Sequence, residues 1–135
     1  MRVFAVTLAA AAALAAAVAG CGGSSSASDA KSAVNNYLTA FAKGDGKQAC
    51  SLMTAETRTS FVLRARPITH TTDCVKSVAL LKPALSRAFR GVKVSQVKVA
   101  GNEAVVTVKA GARQSPALVR KVGGHWKIAA APGTQ

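Results

Sequence analysis

Few residues in this sequence are equipped to do chemistry: three cysteines (Cys21, Cys50, Cys74), two histidines (His70, His125), one tyrosine (Tyr37) and five carboxylates. General acid–base work needs two such groups held together with their pKa values pushed apart. The carboxylates are spread along the chain instead. Asp29, Asp45 and Asp73 fall at expected helix starts or turns, where a short carboxylate accepts from orphan backbone N–H groups. Glu56 lies in a first helical turn, and Glu103 follows a Gly101-Asn102 turn. His125 alternates with Trp126, so if Trp126 and Ile128 face a core, His125 and Lys127 face away. His70 stands in a Pro- and Thr-rich stretch with no second ligand near it in sequence. The chain has no GxGxxG, no P-loop lysine context and no CxxC spacing, so no cofactor, no metal and no catalytic residue is expected. Tyr37 is the one polar aromatic on an apolar helical stripe, and a buried, hydrogen-bonded place at the core edge is expected for it.

Cys21 reads differently from the other two cysteines. It follows a start of one positive charge, Met1-Arg2, and an uncharged run from Val3 to Val18 that is short for a bilayer span and right for a secretory signal. Val18-Ala19-Gly20-Cys21 resembles the bacterial lipobox at all four positions. The resemblance implies cleavage before Cys21 and a thioether from its sulfur to a diacylglyceryl group. Two or more acyl chains, at about 0.8 kcal/mol per buried methylene, give stable anchoring. The expectation is therefore a signal peptide over residues 1–20, a lipidated Cys21 with a flexible Gly- and Ser-rich tether to residue 28, and one domain over residues 29–131. Extended, Gly22 to Ser28 would reach roughly 23–25 Å. The expected location is the extracytoplasmic face of the cell membrane.

With Cys21 lipidated, Cys50 and Cys74 remain, and two leftover cysteines in an exported domain read as a disulfide. Charge narrows the partners. There are 18 Lys and Arg against 5 Asp and Glu, and only Arg2 belongs to the leader. Nucleic acid is not an expected partner, because Trp126, Tyr37 and the phenylalanines are scattered rather than arranged for stacking. Anionic lipid headgroups or envelope polymers suit a basic domain held at a membrane.

These groups need elements to hold them. "SDAKSAVNNYLTAFAKGDG" has the spacing of an amphipathic helix through Ala30, Ala33, Val34, Tyr37, Leu38 and Phe41, capped by Ser28 or Asp29 and ended by Gly44. A short helix in "GKQACSLM" follows, then one capped by Thr54 and stopped by Pro67. The next, capped by Thr71 or Thr72, carries Val75, Val78, Ala79 and Leu81 until Pro83 interrupts it, and Gly91 closes the helical half. The period then changes from 3.6 to 2. Val92 and Val94 alternate, Ser95-Gln96 break parity, and Val97 and Val99 resume on the other phase, the pattern of a bulged strand. Hairpins at Gly101-Asn102 and Gly123-Gly124 join "EAVVTVKA", "PALVRKV" and "HWKIAA". Three or four antiparallel strands after three helices make an α+β fold with the helices on one sheet face.

Three stretches, Ala33 to Thr54, the "TTDC" of Thr71 to Cys74 and the closing "GGHWKI", resemble the nuclear transport factor 2-like superfamily and, within it, small actinobacterial lipoproteins. The resemblance runs from about Ser28 to Ala130 and implies a cone-shaped domain whose curved sheet wraps the first helices around a pocket. It carries over no catalytic residue. Tyr37, Phe41 and Trp126 are the expected pocket residues, in an apolar setting suited to a small apolar ligand. The function this points to is a lipid-anchored envelope protein that binds a small apolar ligand, a polymer or a partner protein. The alternative is a small pocket enzyme acting on a lipid or hydrophobic metabolite, with Tyr37 and His70 in the pocket.

Overall fold

The structure, a computed structural model, describes residues 22–133. The leader and Cys21 lie outside the described residues. Four helices, α1 (Gly22–Lys43), α2 (Gly46–Ser51), α3 (Ala55–Thr69) and α4 (Cys74–Ala88), precede four strands, β1 (Lys93–Ala100), β2 (Glu103–Ala110), β3 (Arg113–Val122) and β4 (His125–Ala130). The strands form one antiparallel sheet in the order β1-β2-β3-β4, each beside its neighbour in sequence. This is the α+β arrangement expected from the change of period. No helix among the described residues is long and apolar enough to cross a membrane.

The sheet's alternation is sharp. Ala104, Val106 and Val108 of β2, Ala117 and Val119 of β3, and Trp126 and Ile128 of β4 point inward and are buried. Against them lies the α1 stripe of Ala30, Ala33, Val34, Tyr37, Leu38 and Phe41, also buried. Burying side chains of this size contributes about 1.5–3 kcal/mol each for the larger ones. Phe41 is the hub of an aromatic cluster, with ring centroids 4.5 Å from Tyr37, 5.4 Å from Phe61 and 5.9 Å from Phe89. The bulge falls where parity breaks: Val94 pairs with Val108 and Gln96 with Thr107, leaving Ser95 as the extra residue.

The helices differ from expectation at their ends. α1 begins at Gly22, not at Ser28 or Asp29, so the stretch expected as a tether forms its first turns and Asp29 sits inside the helix. Gly and Ser are poor helix formers, but the packed stripe supplies the nucleus and further turns add by propagation. Pro67 does not stop α3, which runs on to Thr69 and ends at His70 in the left-handed conformation (φ 52°). Pro83 likewise lies within α4. Both prolines are exposed, and the carbonyls they orphan belong to exposed residues, Leu63 and Ala79, on faces open to solvent hydrogen bonding. α4 is capped by Asp73, whose carboxylate accepts from Lys76 N at 2.7 Å, rather than by Thr71 or Thr72. Its inner face carries Ser77 and Val78, while Val75 is 41% exposed and Ala79 is exposed. Cys74, bonded to Cys50 of α2, shares the inner face with Ser77 and Val78, and Val75, one residue on and about 100° around, looks outward.

Two links tie helices to sheet. Leu52 to Thr54, between α2 and α3, run beside β4: Ile128 N donates to Leu52 O at 2.7 Å and Thr54 N to Ile128 O at 2.9 Å, around a parallel Met53–Ile128 bridge. Thr57 Oγ1 donates to Ala129 O at 2.7 Å, so the start of α3 is fixed to the same strand.

Candidate functional site

The Cys50–Cys74 disulfide is formed, with Cα atoms 6.2 Å apart, and joins α2 to the start of α4. Tyr37 and Phe41 are 3% and 2% exposed inside the core cluster. Burial raises the Tyr37 hydroxyl above the ordinary tyrosine range, with Arg64 opposing that rise. Of the three expected pocket residues, Trp126 lines a cavity. His70 is exposed at the end of α3.

That cavity has a volume of about 310 Å3 and lies between the first half of α1 and the β3–β4 turn. Asp29, Ser32 and Asn36 enter its wall from α1, because spacings of three and four residues put them on one helical face. Gly124, His125, Trp126 and Lys127 enter from the turn and β4, and Leu52 closes one side. Gly123 and Gly124 both have positive φ, at 58° and 80°, which the two-residue turn requires and which L side chains resist. His125 is exposed and Trp126 buried, as their alternation predicts. The Lys127 ammonium donates to the Ser51 carbonyl, holding β4 to the end of α2.

Trp126 is the unusual member of this wall. It is 6% exposed, Lys121 Nζ stands 5.2 Å from its ring centroid, and its indole Nε1 is buried with no hydrogen-bond partner among the described residues. A buried donor without an acceptor costs about 1–3 kcal/mol. Sequence reasoning reached Trp126 but set His125 facing away, and it did not reach Asp29, Ser32 and Asn36 as a group. The signal was present as a polar i, i+3, i+7 series on the face of α1 bordering its apolar stripe, whose Ala33 lines the same cavity.

The remaining carboxylates are engaged or exposed. Asp45 caps α2 by accepting from Gln48 N at 3.1 Å. Glu56 is held below the usual carboxylate range by its own backbone N–H and by the Thr54 hydroxyl. Glu103 pairs with Arg120 at 3.0 Å across β2 and β3. Among the described residues no group of three His, Cys, Asp or Glu side chains is placed to hold a metal ion.

The sheet's other face looks to solvent. Register puts Lys93 directly opposite Lys109, Lys98 opposite Val105, and Val105 opposite Leu118 on it. The three lysines are exposed, and Val105 and Val122 are 42% and 48% exposed. A cleft of about 510 Å3 at the start of α3, on the β3–β4 side of the sheet, is lined by Glu56, Arg58, Arg120 and Lys127.

The chain matches no family model, no curated protein and no solved structure.

Proposed function

We propose that this chain is an exported, lipid-anchored protein of the cell envelope, of nuclear transport factor 2-like build, that binds an anionic surface or polymer rather than transforming a substrate. The observation that carries the binding reading is the Lys93–Lys109 pair. Like charges directly opposite on neighbouring strands destabilise a sheet, and here they stand on the outward face, with Lys98 further along the same face opposite Val105 and Glu103 already paired to Arg120. Phosphate or carboxylate groups laid across that face relieve the repulsion. The lipobox at Val18 to Cys21 supports the anchor.

Two experiments test this. In cells of an exporting bacterium, Cys21→Ser should move the protein out of the membrane fraction; unchanged membrane retention would exclude the anchor. The unlipidated chain from residue 22 should float with vesicles containing phosphatidylglycerol and not with phosphatidylcholine alone. Lys93→Glu with Lys109→Glu should abolish that flotation, and salt near 1 M, where the screening length falls to about 3 Å, should do the same. Equal binding to neutral vesicles would overturn the reading.

A further inference from the structure

The basic sheet face has an uncharged centre, and that centre selects what the face meets. We infer that the outward face of the sheet seats on a lipid bilayer with anionic headgroups, its lysines at headgroup level and the side chains of Val105 and Leu118 in the acyl boundary beneath them. This rests on the reading of that face as an anion-binding surface and names a membrane, not a polymer, as the partner.

Register sets the layout. Val105 of β2 stands directly opposite Leu118 of β3 and, on its other side, opposite Lys98 of β1. Cβ atoms of such cross-strand partners lie about 4.5–5.5 Å apart, so the two aliphatic side chains form one patch. Val105 is 42% exposed and Leu118 is half-buried. The next pair along the same face, Thr107 with Pro116, carries no charge either. Beyond it comes Lys109 with Lys93 at its side, about 14 Å along the strand from Val105 at about 3.4 Å per residue.

A linear polyanion would use the lysines and leave Val105 and Leu118 in water. A bilayer takes both kinds of group, because lysine stems lie along apolar surface while their ammonium groups stay among the headgroups, where anionic lipid attracts them. Charge balance favours this side of the molecule. Residues 93–130 carry seven Lys and Arg and one carboxylate, Glu103, which is paired with Arg120. The other carboxylates, Asp29, Asp45, Glu56 and Asp73, all belong to the helical half. The helices also expose apolar side chains, Leu63 at 61%, Ile68 at 71% and Leu80 at 60%. Leu63 and Ile68 lie about 140° apart around α3, so a flat surface that takes one turns the other away. Leu63 also lines a groove that holds Asp73, whose charge an anionic surface would meet.

Methyl signals test the seating. The chain from residue 22, with 13C-labelled valine and leucine methyl groups, is mixed with bicelles of phosphatidylcholine and phosphatidylglycerol in which some lipid carries a nitroxide near the top of its acyl chain. The expected result is broadening of the Val105 and Leu118 signals, while those of Val106 and Val119, buried on the inner face of the same strands, stay sharp. Val105→Thr with Leu118→Thr should weaken partitioning into these membranes about tenfold. Polyglutamate, which offers charge without an acyl interior, should bind parent and variant alike. The broadening needs no substitution, so it decides the question even if the variant loses stability. Association that requires Lys93 and Lys109 but leaves Val105 and Leu118 sharp would overturn the inference and keep the anion-binding reading, with a polymer as partner. Broadening of Leu63 and Leu80 in their place would overturn it in favour of the helices, and equal partitioning of a stable variant would also sink it. Absence of any association with the anionic bicelles would remove the membrane reading of the sheet face along with it.

Discussion

Gly46 is fixed by a neighbour's backbone rather than by its own dihedral angles. A Cβ added there would stand 2.4 Å from the Val75 carbonyl oxygen and 2.8 Å from Val75 Cα, and backbone atoms in a helix have nowhere to retreat. Gly46→Ala should therefore push α2 off α4 and destabilise the protein by about 1–3 kcal/mol, read from urea unfolding; an unchanged midpoint would show that α2 shifts freely. Tyr37, the only tyrosine, gives a second test at this scale. Its hydroxyl is raised by burial in the folded state, so the folded protein resists losing that proton. The associated stability is complete below the unfolded tyrosine value of about 10 and is lost as pH rises above it. Melting temperature should fall more steeply above about pH 10 in the parent than in Tyr37→Phe, and tyrosinate absorbance should emerge only on unfolding. An ordinary titration near pH 10 in the folded protein would show that the hydroxyl reaches water.

At the scale of elements, the Cys50–Cys74 bond closes a sequence separation of 24 residues between α2 and α4. Cross-linking a loop of that length stabilises by about 3–4 kcal/mol on the chain-entropy model. The double variant Cys50→Ala, Cys74→Ala should lose about that much in denaturant unfolding, and a loss well under 1 kcal/mol would mean that packing around Gly46 alone holds the two helices together. The elements themselves were largely legible. The alternation from Ala104 to Val108, the parity break at Ser95, the glycine turns and the caps at Asp45 and Thr54 all follow from local rules, and the structure keeps each. Pro67 and Pro83 were misread because the rule for proline states what a helix loses and not where the loss falls; on an exposed face the freed carbonyl is open to solvent hydrogen bonding. β3 begins at Arg113, before the expected Pro116. Pro116 pairs with Thr107 of β2 at a position beyond the last β3–β4 partner, Leu118 with Ala130, so its missing N–H has no strand to serve on that side. The cavity was the least legible feature. Its wall joins residues of α1 to a turn more than eighty positions later, and the packing of the α1 stripe on Trp126 and Ile128 of β4 brings them together.

For the whole molecule, the formal charge of +13 is set against one ion pair among the described residues, Arg120 with Glu103, which is itself about half exposed. Mutual repulsion opposes compaction, and salt screens it over a Debye length of about 10 Å at 0.1 M. Melting temperature should rise as sodium chloride goes from about 0.02 to 0.3 M, and a flat or falling profile would mean that the cations already sit far enough apart. The same charges bear on where the sheet ends. An open sheet has two edges, each a row of backbone groups able to recruit a foreign strand. On β4 the middle of that row is taken, because Ile128 spends both its N–H and its carbonyl on Leu52 and Thr54. On β1 the extra residue Ser95 turns its hydroxyl back to Thr107 O at 3.2 Å, and Lys93 and Lys98 flank the irregularity. One edge is plugged by the chain's own linker and the other is kinked and charged, so this valine-rich meander is guarded against stacking into fibrils when crowded at high local concentration.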